Sequence, residues 1–231
     1  MPALAKHREV IAIDLPGHGE SPADNDSGTF AGLARSFEEW LVREKLTAVD
    51  MVGSSMGARL VLEMARRGRS GAVVALDPGG FWSGWERGFI KTTLAASGWL
   101  LRSLRRALPT LAHNPIARSL LLAQLAARPW ALNGDLVATE LTSIANTATF
   151  SDLVKDLAYG PAQAGPEAAN TGPVVIGWGR HDRLCFPAQA RRAKQAFPKA
   201  RLVWFERSGH FPLWEEPEKT VQLILETVSR S

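Results

Sequence analysis

Five short apolar runs, each closed by turn-forming residues, constrain the fold of this chain more than any other feature. They are EVIAID (9–14), AVDMV (48–52), AVVALD (72–77), PVVIGW (173–178) and RLVWFE (201–206). Runs of this length rich in β-branched residues read as strands. Between them the apolar residues recur at helical spacing, as Phe30, Leu33, Phe37, Trp40 and Leu41 do in TFAGLARSFEEWLVREKL (29–46). Further helices are predicted over 56–67, stopped by Gly68, near 188–197, and after Pro217. Strands that alternate with helices imply a mostly parallel sheet covered on both faces, an α/β fold.

The alternation is interrupted once. From Phe81 to about Ala158 the strand signal disappears, and helical patterns broken by Pro109, Pro115, Pro129 and Gly134 replace it. This block reads as an insertion in the sheet, with GPAQAGPEAANTG (160–172) as its return linker. A chain of 231 residues has room for one α/β core and such an insertion. With 45% hydrophobic and 22% charged residues, neither disorder nor a fibre is indicated.

Composition also sets expectations about setting and partners. The single cysteine, Cys185, cannot form an internal disulfide, so a cytoplasmic location is expected. No run approaches the ~18 apolar residues of a spanning helix, and Lys6, His7, Arg8 and Glu9 stand where a signal peptide needs its apolar region; no membrane partner is expected. The net charge of +4 is concentrated: between Ser83 and Asn133, seven basic residues face one acid, Glu86. Arg102, Arg105 and Arg106 fit a solvated helix face, with attraction of an anionic substrate or surface as the alternative. The basic residues are not interleaved with aromatics, so nucleic acid is not an expected partner.

The segment VDMVGSSMGARLVLEMARRG (49–68) carries the chemistry. Ser55 falls between a predicted strand and a predicted helix, with Gly53 and Gly57 as small neighbours. A sharp elbow there lifts Oγ over the end of the sheet. The next backbone N–H, on Met56, then lies at the helix N-terminus, where it can hold a developing oxyanion.

A serine hydroxyl needs a base to become a nucleophile. Of the five histidines, His210 lies in a glycine-containing loop after the strand 201–206, at the same sheet edge as Ser55. His18, in PGHG, also follows a strand, though a turn role is as well supported; His7 and His113 read as surface or packing residues. The base needs an acid to fix its tautomer. Asp182, after the strand 173–178, is the first choice, and Asp77, at the end of 72–77, is its rival. His181 is set aside because adjacent side chains on an extended segment point apart. The order Ser55, Asp182, His210 is that of a nucleophile-elbow enzyme.

Through VIAIDLPGHGESP, MVGSSMGARL, VVIGWGRHDRLCFP and RSGHFPLWEEPEKTVQLIL the chain resembles the α/β-hydrolase superfamily over nearly its whole length. The resemblance implies residues 1–80 and 166–231 as the core and 81–165 as a helical cap, or lid, with the return linker. The elbow is similar to those of carboxylesterases and carbon–carbon bond hydrolases. Serine at this position argues against haloalkane dehalogenases and epoxide hydrolases, which carry aspartate. The resemblance requires no cofactor and no metal, and implies a small-molecule substrate, with the protein a monomer or homodimer.

One departure is marked. Family members begin with strands ahead of VIAIDLPGHG, and a His-Gly loop there supplies the other oxyanion donor. The resemblance therefore implies that the fold is N-terminally truncated and that Met1 is an internal residue of a longer protein. It also implies loss of an interior strand between the runs ending at Asp14 and Val52. Closing the gap would require direct pairing of these runs, a shift of the core, or unpaired backbone groups.

Phe81, Trp82, Trp85 and Phe89 are candidates for an apolar substrate pocket, with cap-to-core packing as the competing explanation. Two functional classes follow. The first is a serine hydrolase acting on an ester or, alternatively, on a carbon–carbon bond of a diketone-like acid. The second is a weakly active or inactive ligand-binding protein on the same scaffold.

Overall fold

The computed structural model describes residues 1–231 apart from 47, 167–171 and 229–231. The return linker expected at 160–172 thus lies partly outside the described residues. Four parallel strands, β1 (Met51–Ser54), β2 (Val73–Leu76), β3 (Val174–Gly179) and β4 (Arg201–Phe205), form one sheet in the order β1-β2-β3-β4. The short α1 (Pro2–Ala5) precedes them, α2 (Phe30–Arg43) leads into β1, and α3 (Met56–Arg66) connects β1 to β2. The helices α4 (Trp85–Ser103), α5 (Leu108–His113), α6 (Pro115–Leu121), α7 (Gly134–Asn146) and α8 (Phe150–Tyr159) separate β2 from β3. After β3 come α9 (Pro187–Ala196), β4, α10 (Pro212–Glu215) and α11 (Pro217–Val228).

β2 is buried along its whole length, as a strand covered on both faces must be. Its alternate residues divide the core. Val73 and Ala75 join Ile176 and Trp178 against α2, α3 and α9, while Val74 and Leu76 join Val175 and Phe205 against Leu223 and Ile224 of α11. The predicted stripe of α2 is the buried one: Phe30, Leu33, Phe37 and Leu41 face inward, and Thr29 caps the helix by accepting Gly32 N–H at 3.1 Å. The inserted helices carry an apolar cluster of their own, with Leu101, Leu108, Leu122 and Leu141 at its centre.

The run 9–14 corrects the sequence reading, for it forms no strand. A strand exists only where a neighbour lies at hydrogen-bonding spacing of ~4.8 Å, and among the described residues β1 is paired with β2 alone. Ile11 and Ile13 are left 54% and 38% exposed, and Val52 on the open side of β1 is 44% exposed. Direct pairing of the two runs, one of the expected ways to close the gap, does not occur, and β1 is an edge strand. The turn after this run is nonetheless ordered: Asp14 accepts Glu20 N–H at 3.0 Å through its carboxylate and the Ser21 hydroxyl at 2.8 Å through its carbonyl. Among the described residues no helix is long and apolar enough to cross a membrane.

Candidate active site

Parallel strands all end on one side of the sheet, and that edge collects the candidate residues. Ser55 has φ of +55° and ψ of −115° between β1 and α3, with its N–H donated to Leu76 O at 2.9 Å. A non-glycine residue in this region is strained and persists only where its surroundings enforce it. Gly53 is one such enforcer, since a Cβ there would come within 2.2 Å of Gly57 O. At Gly57 a Cβ would meet nothing within 4 Å, so the turn does not require a small residue at that position.

His210 Nε2 lies 2.8 Å from Ser55 Oγ, and His210 Nδ1 lies 2.8 Å from Asp182 Oδ2. Beside a carboxylate, Nδ1 carries the proton and donates it, which leaves the Nε2 lone pair for the Ser55 hydroxyl. His210 and Asp182 are buried. The other oxygen of Asp182 accepts Leu184 N–H at 2.8 Å and Cys185 N–H at 2.9 Å, which fixes the orientation of the carboxylate. The structure thus brings Ser55, His210 and Asp182 together in one chain of hydrogen bonds. Met56, first in α3, borders the same cavity as Ser55, and its N–H has no intrahelical acceptor.

The remaining titratable candidates fall elsewhere. Asp77 is buried, and its Oδ1 accepts Gly179 N–H at 2.8 Å; it is Asp182 that meets His210. His181 is exposed, as are His7 and His113. His18 serves its turn, with Nδ1 3.1 Å from Pro16 O, and also borders the cavity. Asp182, Cys185 and His210 place potential metal-ligating atoms within 4.8 Å of one another. Hydrogen bonds to one another and to Ser55 already occupy the Asp182 and His210 atoms. Burial first, and then the nearby charges of Asp182 and Glu86, push the Cys185 thiol well above its usual range and away from the thiolate a metal would need.

A cavity of about 260 Å³ opens over Ser55 and His210. Leu94 and Leu101 of α4, Leu141 and Ile144 of α7, and Leu153 and Leu157 of α8 contribute to its apolar wall, with Ser97, Gln124, Ser143 and Thr147 as polar points. No lysine or arginine is among its described lining residues. The aromatic residues read from the sequence as pocket candidates do not line it. Phe81 and Trp82 are core residues, Trp85 is 69% exposed, and Phe89 packs between Trp85 and Phe186 with ring centroids 5.8 and 5.2 Å away. Packing claims Phe81 and Trp82, while Trp85 stands largely in solvent at the start of the insertion.

Glu215 is a residue that sequence reading missed. Its buried carboxylate accepts the N–H of Gly209, next to His210, and those of Ala127 and Arg128 in the inserted block. His210 N–H in turn donates to Leu125 O at 2.8 Å. The insertion and the histidine loop are therefore tied directly to each other.

Residues 1–223 match the model of the alpha/beta hydrolase family. The chain belongs to that family. It is accordingly a hydrolase. Among its relatives is the 2-hydroxy-6-oxononadienedioate/2-hydroxy-6-oxononatrienedioate hydrolase 1 of Dechloromonas aromatica, 27% identical over 97% of this chain and 78% of the relative. Solved structures of the same fold include the enol-lactonase from Burkholderia xenovorans, at TM-score 0.74 and 20% identity over 99% of this chain and 84% of that one. A thermophilic esterase from Thermogutta terrifontis matches at TM-score 0.70 and 20% identity, over 94% and 78% of the two chains.

Proposed function

We propose that this hydrolase cleaves a carboxylic ester of a small, neutral, largely apolar substrate through an acyl-enzyme. His210 Nε2 takes the Ser55 proton as Oγ attacks the ester carbonyl. The oxyanion develops beside Met56 N–H, at the positive end of the α3 dipole. Asp182 holds the imidazolium, which passes its proton to the leaving alcohol. Water, deprotonated by His210, then releases the acid.

The observation that carries the choice of substrate is the wall of the cavity. An apolar lining with a few hydroxyl and amide groups suits an uncharged acyl chain, and a volume near the lower end of the ligand-site range of roughly 300 to 1,000 Å³ suits a short one. Carbon–carbon cleavage of a diketone-like acid is the second reading, favoured by the name of the Dechloromonas relative. A carboxylate-bearing substrate would meet no lysine or arginine among the described lining residues, and burying a poorly paired charge is costly.

The test is hydrolysis of p-nitrophenyl esters of increasing acyl length by this protein and by Ser55→Ala, with a vinylogous 2-hydroxy-6-oxo acid assayed in parallel. Turnover greatest for short acyl chains and abolished in Ser55→Ala is the expected result. Turnover of the oxo acid in place of the esters would transfer the assignment to carbon–carbon cleavage.

A further inference from the structure

Asp77 follows the last residue of β2 with φ of +46°, a left-handed conformation that aspartate and asparagine enter more readily than other non-glycine residues. Its side chain is fully buried, and one oxygen, Oδ1, accepts Gly179 N–H at 2.8 Å. The other, Oδ2, is sealed from solvent with no hydrogen-bond partner. Within reach of this carboxyl is the carboxyl of Asp182. Two neighbouring carboxylates in a dry site are acceptors with no donor between them, and ionising both is costly. One proton resolves this by turning one of the pair into a donor.

The distribution of donors decides which residue holds that proton. Asp182 already accepts from Leu184 N–H, Cys185 N–H and His210 Nδ1–H, whereas Asp77 accepts from Gly179 N–H alone. With three donors on Asp182 and one on Asp77, whose Oδ2 has none, the proton belongs on Asp77. We propose that Asp77 is a neutral carboxylic acid that donates its proton to Asp182 and thereby positions, and partly shares the charge of, the residue that holds His210. Asp77 touches no reacting atom; it is a positioning residue, and this role rests on the serine-hydrolase reading above. Burial first, and then the charges of Asp182 and Glu215, push the Asp77 carboxyl well above the usual carboxylate range, in the same direction. The ionisable groups around it are Asp182 and Cys185 from the loop after β3, Glu215 of α10, and His210 acting through Asp182.

The experiment combines two readouts on the whole protein. Infrared difference spectra of wild type and Asp77→Asn at about pH 8, far above the ordinary carboxyl range, report the proton. The rate at which a fluorophosphonate labels Ser55, followed against pH, reports the consequence and needs no natural substrate. Asparagine keeps the left-handed turn, the acceptor for Gly179 and a donor for Asp182. The expected result is a protonated-carboxyl band in wild type that vanishes in Asp77→Asn, with the acidic limb of the labelling profile unmoved. Asp77→Gly also keeps the turn but removes the donor. There, labelling slows roughly tenfold and the acidic limb moves to higher pH, because the full charge of Asp182 then acts on His210.

Absence of the band in wild type, or its persistence in Asp77→Asn, would overturn the proposal. So would an acidic limb shifted about one unit lower in Asp77→Asn, the sign that a real negative charge had been removed. A wild type that shows the band yet fails to label would instead overturn the serine-hydrolase reading and the positioning role with it, while leaving the proton on Asp77.

Discussion

Glu215 Oε2 accepts the backbone N–H of Gly209 at 2.6 Å, and the same carboxylate takes the N–H groups of Ala127 and Arg128 at 3.1 and 2.7 Å. One buried side chain thus sets the residue before His210 against the inserted helical block. In Glu215→Gln an amide N–H₂ replaces an oxygen and faces backbone N–H donors. The variant is expected to lose about 2 kcal/mol of stability and roughly tenfold in turnover as the histidine loop loosens. Thermal unfolding and ester kinetics measured together check this, and a variant as stable and active as wild type would refute it.

Asp182 presents one oxygen to two backbone N–H groups and the other to His210 Nδ1. In Asp182→Asn the two backbone donors hold the amide oxygen, so the amide nitrogen turns toward the histidine. The imidazole must then place its proton on Nε2, where it can no longer accept from Ser55. Turnover is expected to fall by roughly 10⁴-fold with the fold intact. The comparison is kcat of variant and wild type, with circular dichroism as the control on folding; a loss below tenfold would remove Asp182 from the proposed role.

What could be read from the sequence was decided by the range over which each feature is determined. β2 and β3 were readable because their runs are apolar on both faces, whichever strands flank them. Ser55, Asp182 and His210 were readable because parallel strands end on one side, so residues just beyond strand ends meet. The run 9–14 has the same composition as a strand, yet strand formation needs a partner, and no residue inside the run encodes that. The cavity wall was misread for a related reason. Size favours Phe81, Trp82, Trp85 and Phe89, while the lining includes Leu94 and Leu101 of α4, Leu141 and Ile144 of α7, and Leu153 and Leu157 of α8, whose direction depends on how those helices pack. Glu215 lay hidden in the acidic segment LWEEPEK, where nothing local separates a buried acceptor from a solvated charge.

Glu63 supplies a pH-dependent term remote from the site. Burial alone would raise its pKa, but hydrogen bonds from Arg66, Gln163 and Arg67 outweigh it and hold the carboxyl at about 2. A carboxyl lowered in the folded state stabilises the protein above its unfolded value of 4.5 and loses that contribution as pH falls toward about 2. The contribution is on the order of 2 kcal/mol. Denaturant unfolding of wild type should therefore weaken more steeply over this window than that of Glu63→Gln. Parallel curves for the two proteins would show that the Arg66–Glu63–Arg67 group is stability-neutral.

Among the described residues nothing pairs with the outer edge of β1, and Val52 on that strand is 44% exposed. Unpaired N–H and C=O groups beside an exposed apolar side chain form a template on which a second chain can pair, and native edges are commonly blunted by a lysine. Val52→Lys places such a charge on the edge while leaving Met51 and the β1–β2 pairing in place. The expected outcome is reduced self-association at high protein concentration, with Ser55 labelling preserved because Gly53 and the Ser55 turn are unchanged. Sedimentation velocity across a concentration series measures it. An unchanged distribution of species in Val52→Lys would show that association, where present, uses another surface, and that the short length of β1 already protects the edge.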